Sequence, residues 1–194
     1  MSDFIRTGVI EGFSGPMASG KSGELLKRVD PLRWTRGVQY IGFKPKTDTR
    51  KENSRSGEDF MNWIYVSEPE EILMYVDKCH DLVAIDEIQF FSKEIVKVIL
   101  DLQRDMKNVI FAGLDRDFAG RPFGFMRDLM FCSNELTKLY GICSVCGDKA
   151  YYTQRLINGK AACSDSPIVS VEGEDSKERY EPRCFKHHEV PRKK

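Results

Sequence analysis

The chain has no net charge, because 30 Lys and Arg residues balance 30 Asp and Glu. With no basic stripe in any segment, there is no electrostatic reason to expect a nucleic acid or an anionic membrane as partner. Nowhere does the sequence run through about 18 apolar residues, so no spanning helix is expected. The opening MSDFIRTGVI lacks a basic stretch followed by a long apolar one, so no secretory leader is expected and the cytoplasm is the expected compartment. Internal repeats and low-complexity tracts are also missing. What is present is 194 residues, enough for one buried core with a small module appended.

Strand-like and helix-like segments alternate through the first two thirds. GVIEGF (8–13) predicts a strand, and residues 21 to about 36 predict a helix with Leu25, Leu26 and Val29 on one side. QYIGFK (39–44) is a second strand, and the charged, aperiodic residues 46–59 are expected to form a long loop. Trp63 to Val66 can form a strand, and Ser67 with Glu70 has capping-box spacing for a helix reaching about Cys79. LVAIDE and NVIFAGL are short, apolar and rich in β-branched residues, as strands covered on both faces should be. Between them, Ser92 can cap a helix carrying Ile95, Ile99, Leu102 and Met106 at helical spacing. The alternation predicts an α/β fold, a mainly parallel sheet with helices on both faces. From Cys143 the helical period disappears, and AYYTQRL and IVSV read as short strands. A boundary near residue 141 therefore divides the chain into 1–141 and 142–194, and the closing PRKK reads as a solvated tail.

GPMASGKS (15–22) follows the first strand and opens the first helix. In that context the backbone N–H groups of Gly15, Met17, Ala18, Ser19 and Gly20 can face phosphate oxygens. Lys21 can reach the β- and γ-phosphates, and the Ser22 hydroxyl can ligate Mg²⁺. ATP or GTP binding follows. Asp86, ending the apolar strand LVAI, can hold the same Mg²⁺, and Glu87 offers a carboxylate able to take a proton from an attacking hydroxyl or water. Hydrolysis and phosphoryl transfer both remain open. The charges of KPKTDTR (44–50) read by default as a solvated loop, although they follow the second strand at the sheet end where ligands bind.

Cysteine occurs at 79, 132, 143, 146, 163 and 184, and in a reducing compartment a close pair reads as metal-binding or catalytic rather than as a disulfide. Cys143 with Cys146 and Cys184 with His187 are two such pairs, and three thiolates with one imidazole suit a closed, structural Zn²⁺ site. His188 is a less regular alternative to His187. Cys79, Cys132 and Cys163 have no sequence partner, and the first two read as packing cysteines.

Taken in order, GPMASGKS, KPKTDTR, IDEIQFF, GLDRDFAGRPFG, CSVCG, YTQRL and CFKH resemble the zinc-containing, phosphate-loop thymidine kinases, from about Gly8 to His187. The resemblance implies a RecA-like α/β domain, a zinc-ribbon-like lasso domain and a homotetramer that transfers the γ-phosphate of ATP to the 5′-hydroxyl of thymidine, with deoxyuridine a second acceptor. It casts Lys21 and Ser22 as ATP and Mg²⁺ residues, Asp86 as a metal ligand and Glu87 as the base. Gln89 and Phe90 would lie near the nucleoside, Gln89 towards ATP as well. Arg155 resembles a phosphate-neighbouring arginine, and Asp48 and Arg50 match the Asp-Thr-Arg of the family. Met17, Leu114, Phe118, Thr153 and Tyr180 would enclose the base, with Val171 a further contact. Three departures stand out: Gly23 where the family has Thr, a longer and more charged VSVEGEDSKERY before the tyrosine, and His187 where many members use Cys. A phosphate-loop motor or remodelling ATPase is the rival reading, disfavoured by the neutral charge. A nucleotide-binding regulator is a third, and it requires Glu87 to be idle.

Overall fold

Val109 and Phe111 point to one side of their strand, and Ile110 and Ala112 to the other; all four are buried. A strand of apolar residues on both faces needs a layer of helices on each. The computed structural model, which describes residues 8–47, 61–168 and 178–192, shows that arrangement. A six-stranded sheet is built from β1 (Ile10–Ser14), β2 (Tyr40–Pro45), β3 (Trp63–Val66), β4 (Leu82–Ile85), β5 (Asn108–Gly113) and β6 (Glu135–Lys138). Its order is β3-β2-β4-β5-β1-β6, and every neighbouring pair is parallel. The α/β class expected from the alternation is therefore the one observed.

Helix α1 (Lys21–Val29) lays Leu25, Leu26 and Val29 against Phe13, Ala84, Ile110 and Ala112 on one face. On the other, Ile72 of α2 (Glu71–Tyr75), Ile95, Val98, Ile99 and Leu102 of α3 (Glu94–Arg104), and Met126 and Leu129 of α4 (Met126–Cys132) share a cluster with Ile10, Phe43, Val83, Ile85, Val109 and Phe111. Truncating one of these fully buried side chains to Ala costs about 2–5 kcal/mol.

Several boundaries differ from the sequence expectation, each for a local reason. Helix α1 stops at Val29 and gives way to a 3-10 turn, Asp30–Trp34, because Pro31 has no N–H to continue the ladder. Helix α2 is a short segment rather than one reaching Cys79. Its N-terminal acceptor is Glu71, not Glu70, and takes the N–H groups of Ser67 and Glu68 at 2.9 Å each. Met106 lies beyond α3 at φ +60° and is exposed, so it is not part of the apolar stripe. Cys79 is exposed rather than packed. Helix α4, with Met126, Leu129 and Met130 at helical spacing, and the exposed strand β6 are elements the sequence reading did not include.

The remainder forms two small sheets. β7 (Gly141–Ile142) pairs with β8 (Lys149–Ala150); β9 (Tyr152–Ile157) lies between β10 (Lys160–Ala161) and β11 (Glu178–Arg183), all antiparallel. Of AYYTQRL, expected as one short strand, Tyr152 to Leu156 lie in β9 and Ala150 belongs to β8. Residues 48–60, with Asp48 and Arg50, and residues 169–177, with Val171 and most of IVSV, lie outside the described residues.

Candidate active site

Because the strands are parallel, the segments leaving β1, β4 and β5 emerge on one edge of the sheet. Gly15, Met17, Ala18, Ser19 and Gly20 form the loop between β1 and α1. Gly20 caps the helix at φ +82°, a left-handed conformation that glycine adopts without strain. Lys21 folds back, and its buried ammonium donates 2.7 Å to the Pro16 carbonyl; the Ser19 hydroxyl donates to the same oxygen at 2.8 Å. The Ser22 hydroxyl donates 3.0 Å to Asp86 Oδ1, so the first turn of α1 is joined to the end of β4.

Asp86 is almost wholly buried. Burial pushes its carboxyl up, aided by the charge of Glu87 and opposed by Lys44 and the Ser22 hydroxyl, to about 6. Lys44 Nζ lies 3.6 Å from Asp86 Oδ2 and 4.6 Å from the centre of the Trp63 ring. The default solvated reading of KPKTDTR therefore fails for Lys44, which lies near the end of β2 at the same edge and turns inward. An alkyl stem beside an aromatic ring with the cation beside a carboxylate is a partly buried arrangement that sequence composition does not reveal.

Glu87 has φ +54° and ψ +36°, unusual for a residue with a side chain. Strain of this kind costs about 1–3 kcal/mol and persists where the surroundings hold the residue in place. They do so here through Gln89, whose amide donates 2.7 Å to Glu87 Oε2 and whose carbonyl oxygen accepts from Leu114 N–H at 3.0 Å. Gln89 is buried between these partners, and β4 and β5 are thereby cross-linked just beyond their ends. Phe90 meets Phe123 edge-on at 5.4 Å.

Residues distant in sequence close around this edge. Met17 N–H donates 3.0 Å to Thr153 Oγ1, tying the loop after β1 to β9. Leu114 and Phe118 are buried, and the Arg155 guanidinium lies 5.2 Å from the Phe118 ring and 6.0 Å from that of Tyr180. Arg155 pairs with Glu178, which also accepts from the Tyr180 hydroxyl at 2.8 Å. Of the residues expected to enclose the base, Met17 thus meets Thr153, Phe118 and Tyr180 flank Arg155 on the same strand as Thr153, and Leu114 is joined to Gln89. Two charged groups of this edge were missed. Asp115 is buried with Lys138 at 2.7 Å and leaves Oδ1 without a hydrogen bond, and Glu178 sat unremarked in a charged run.

Cys143, Cys146, Cys184 and His187 converge as their spacing predicts. Cys143 Sγ lies 3.7 Å from His187 Nδ1, Cys146 Sγ 3.7 Å from Cys184 Sγ, and Cys184 Sγ 3.3 Å from His187 Nδ1. Tetrahedral zinc bonds of roughly 2.0–2.3 Å place their ligands about 3.3–3.8 Å apart, so the donor set fits that ion in both chemistry and size. His188 is not part of the cluster. Its Nε2 donates 2.8 Å to the Phe118 carbonyl, and its ring stacks on Tyr152 at 4.6 Å.

The family model of thymidine kinase matches residues 8–188. A thymidine kinase of Coprothermobacter proteolyticus is 45% identical over 197 residues, covering 100% of this chain and 96% of the relative. Among solved structures, the flagellar accessory protein FlaH of Methanocaldococcus jannaschii aligns over 98% of this chain and 84% of its own, at 11% identity and a TM-score of 0.47. Domain III of the Thermotoga maritima replication initiation protein DnaA aligns over 69% and 55%, at 16% identity and a TM-score of 0.45. The full-length sequence match and the family model together carry the assignment: the chain belongs to the thymidine kinase family and phosphorylates thymidine.

Proposed function

We propose that ATP is the phosphoryl donor, that Glu87 is the catalytic base, and that deoxyuridine is a second acceptor. The observation that carries this reading is the Glu87–Gln89–Leu114 array, which fixes a carboxylate in a strained conformation one residue after Asp86, the acceptor of the Ser22 hydroxyl at the start of α1. In the reaction Glu87 takes the proton of the 5′-hydroxyl. The oxygen so freed attacks the γ-phosphorus in line, the bond to the bridging oxygen breaks, and ADP leaves. Lys21, now turned onto the Pro16 carbonyl, swings to the β- and γ-phosphates, while the loop N–H groups hold the phosphate chain.

Ser22 and Asp86 offer oxygen ligands only, a donor set suited to Mg²⁺. When bound there, the ion neutralises charge on the phosphates. The Lys44 ammonium balances Asp86 when no cation does. On the acceptor side, Met17, Phe90, Leu114, Phe118, Thr153 and Tyr180 enclose the base, with Arg155 between the Phe118 and Tyr180 rings; a phosphate-neighbouring role for Arg155, and the places of Asp48, Arg50 and Val171, come by resemblance. Zinc held by Cys143, Cys146, Cys184 and His187 has no open position and serves structure. The division into a phosphate-loop unit, 1–141, and a zinc-held unit, 142–194, is part of the same reading, as are the homotetramer and a cytoplasmic location. Among the described residues no helix is long and apolar enough to cross a membrane.

A panel of nucleosides offered with ATP and Mg²⁺, scored for 5′-monophosphate and ADP in equal amounts, tests the donor and the acceptors together. ADP release without nucleotide product, stimulated by DNA or RNA, would replace this reading with the motor ATPase.

A further inference from the structure

A second mixed-donor cluster lies at the other end of the sheet. Asp77, Cys79 and His80 occupy the turn that leads into β4, whose far end carries Asp86. Asp77 Oδ1 is the hub, with Cys79 Sγ at 2.7 Å and His80 Nδ1 at 3.0 Å; the sulfur and the imidazole nitrogen are 4.0 Å apart. As it stands the thiol donates to Asp77 Oδ1 and the Asp77 N–H donates 3.2 Å to His80 Nδ1, so a metal ion here would replace the thiol proton and displace one backbone N–H.

We propose that this turn is a second, transition-metal site, separate from the Cys143–His187 cluster and from the catalytic edge. The donor types set the class of ion. A thiolate and an imidazole exclude Mg²⁺ and Ca²⁺, which take oxygen, and select a borderline divalent ion such as Zn²⁺ or Co²⁺. The size also fits. Tetrahedral bonds of about 2.0–2.3 Å separate such ligands by about 3.3–3.6 Å, so each pair here needs to adjust by less than about 1 Å.

The backbone of the turn is already held. Lys107 Nζ donates 2.6 Å to the His80 carbonyl and 3.2 Å to that of Lys78, and Cys79 N–H donates 2.9 Å to Asp77 Oδ1. Asp77 also borders a groove of about 790 Å³ lined by Leu73, Val76, Asp101 and Lys107, which gives solvent a way to this carboxylate. Cys79 and Asp77 are exposed, so the ion has direct access from solvent. Three protein ligands with an open position make a weaker and more exchangeable site than a closed four-ligand one.

The test is a Co²⁺ titration of the full chain, read by visible absorption and by metal content after gel filtration, in wild type, Cys79→Ser and His80→Ala. Thymidine phosphorylation is followed in parallel to show that both variants fold. The proposal expects two equivalents of metal, zinc and Co²⁺ counted together, in the wild type and one in each variant, with the charge-transfer band of the second equivalent absent from Cys79→Ser and activity unchanged. A single equivalent in all three proteins overturns it, and so does a second equivalent that survives both substitutions. It does not rest on the base assigned to Glu87, and neither result bears on that assignment.

Discussion

Gln89 holds Glu87 from one end of its amide and Leu114 from the other, at 2.7 Å and 3.0 Å. A single buried side chain thereby sets the direction of a carboxylate and the spacing between the segments that follow β4 and β5. Gln89→Ala should lower turnover at least tenfold, because the strained Glu87 loses its brace. It should also cost about 1–3 kcal/mol, since Leu114 N–H loses its acceptor in a buried place. Steady-state kinetics and a urea melt report the two effects separately. A stable variant with wild-type turnover would show that the brace is dispensable.

Gly124 gives a test of the same brace from the backbone. It has φ +51°, and a Cβ there would lie 2.4 Å from the Gln89 carbonyl oxygen. Gly124→Ala must therefore displace Gln89 or the turn before α4, on top of a left-handed backbone cost of about 1–2 kcal/mol. Reduced turnover with nearly unchanged ATP affinity is expected. Gly23→Ala is the contrasting change. It lies inside α1, and its added Cβ meets nothing within 4 Å among the described residues, so a gain of about 0.5–1 kcal/mol in stability is expected.

Removing metal from the four-ligand cluster should loosen the antiparallel pair that carries Thr153, Arg155 and Tyr180. Cys184 and His187 follow β11 directly, and β11 pairs with β9 along its whole length. Cys184→Ser should lose one zinc per chain, melt at a lower temperature and bind thymidine more weakly. A metal-free wild type with full activity and an unchanged melting temperature would remove zinc from the account.

His188 joins that cluster to the loop after β5. Burial holds its imidazole below the usual range, so at pH 7 the ring is neutral, with Nε2–H directed at the Phe118 carbonyl. His188→Ala should raise the KM for thymidine several-fold while leaving the KM for ATP unchanged, because Phe118 loses its tether and the phosphate loop does not. His188→Gln, whose amide can donate to the same oxygen, should recover part of the loss. Equal changes in both KM values would point to general unfolding instead.

What sequence could reveal followed from how local the signal was. GPMASGKS, Asp86 with Glu87 and the two Cys/His pairs are local patterns of a few neighbouring residues; in the structure Ser22 meets Asp86, and the four Cys/His donor atoms converge. Strand β6, ELTK, escaped notice because it is exposed along its length and becomes a strand only by pairing with β1. Strand β11, ERYEPR, closes a stretch noted for its charge and not for a strand; its partner β9 and the Arg155–Glu178 pair give those charges a place. The two-residue spacing from Cys184 favours His187 over His188, and proximity in three dimensions agrees. Lys44 was misread because its partner Asp86 lies on a different strand.

The role of Glu87 is the central claim, and Glu87→Gln tests it most directly. The substitution keeps the size of the side chain and removes its ability to take a proton. Thymidine turnover should fall about 10²–10⁴-fold while ATP binding, measured by equilibrium titration, stays within a few-fold of the wild type. A Glu87→Gln enzyme that phosphorylates thymidine at the wild-type rate would contradict the account.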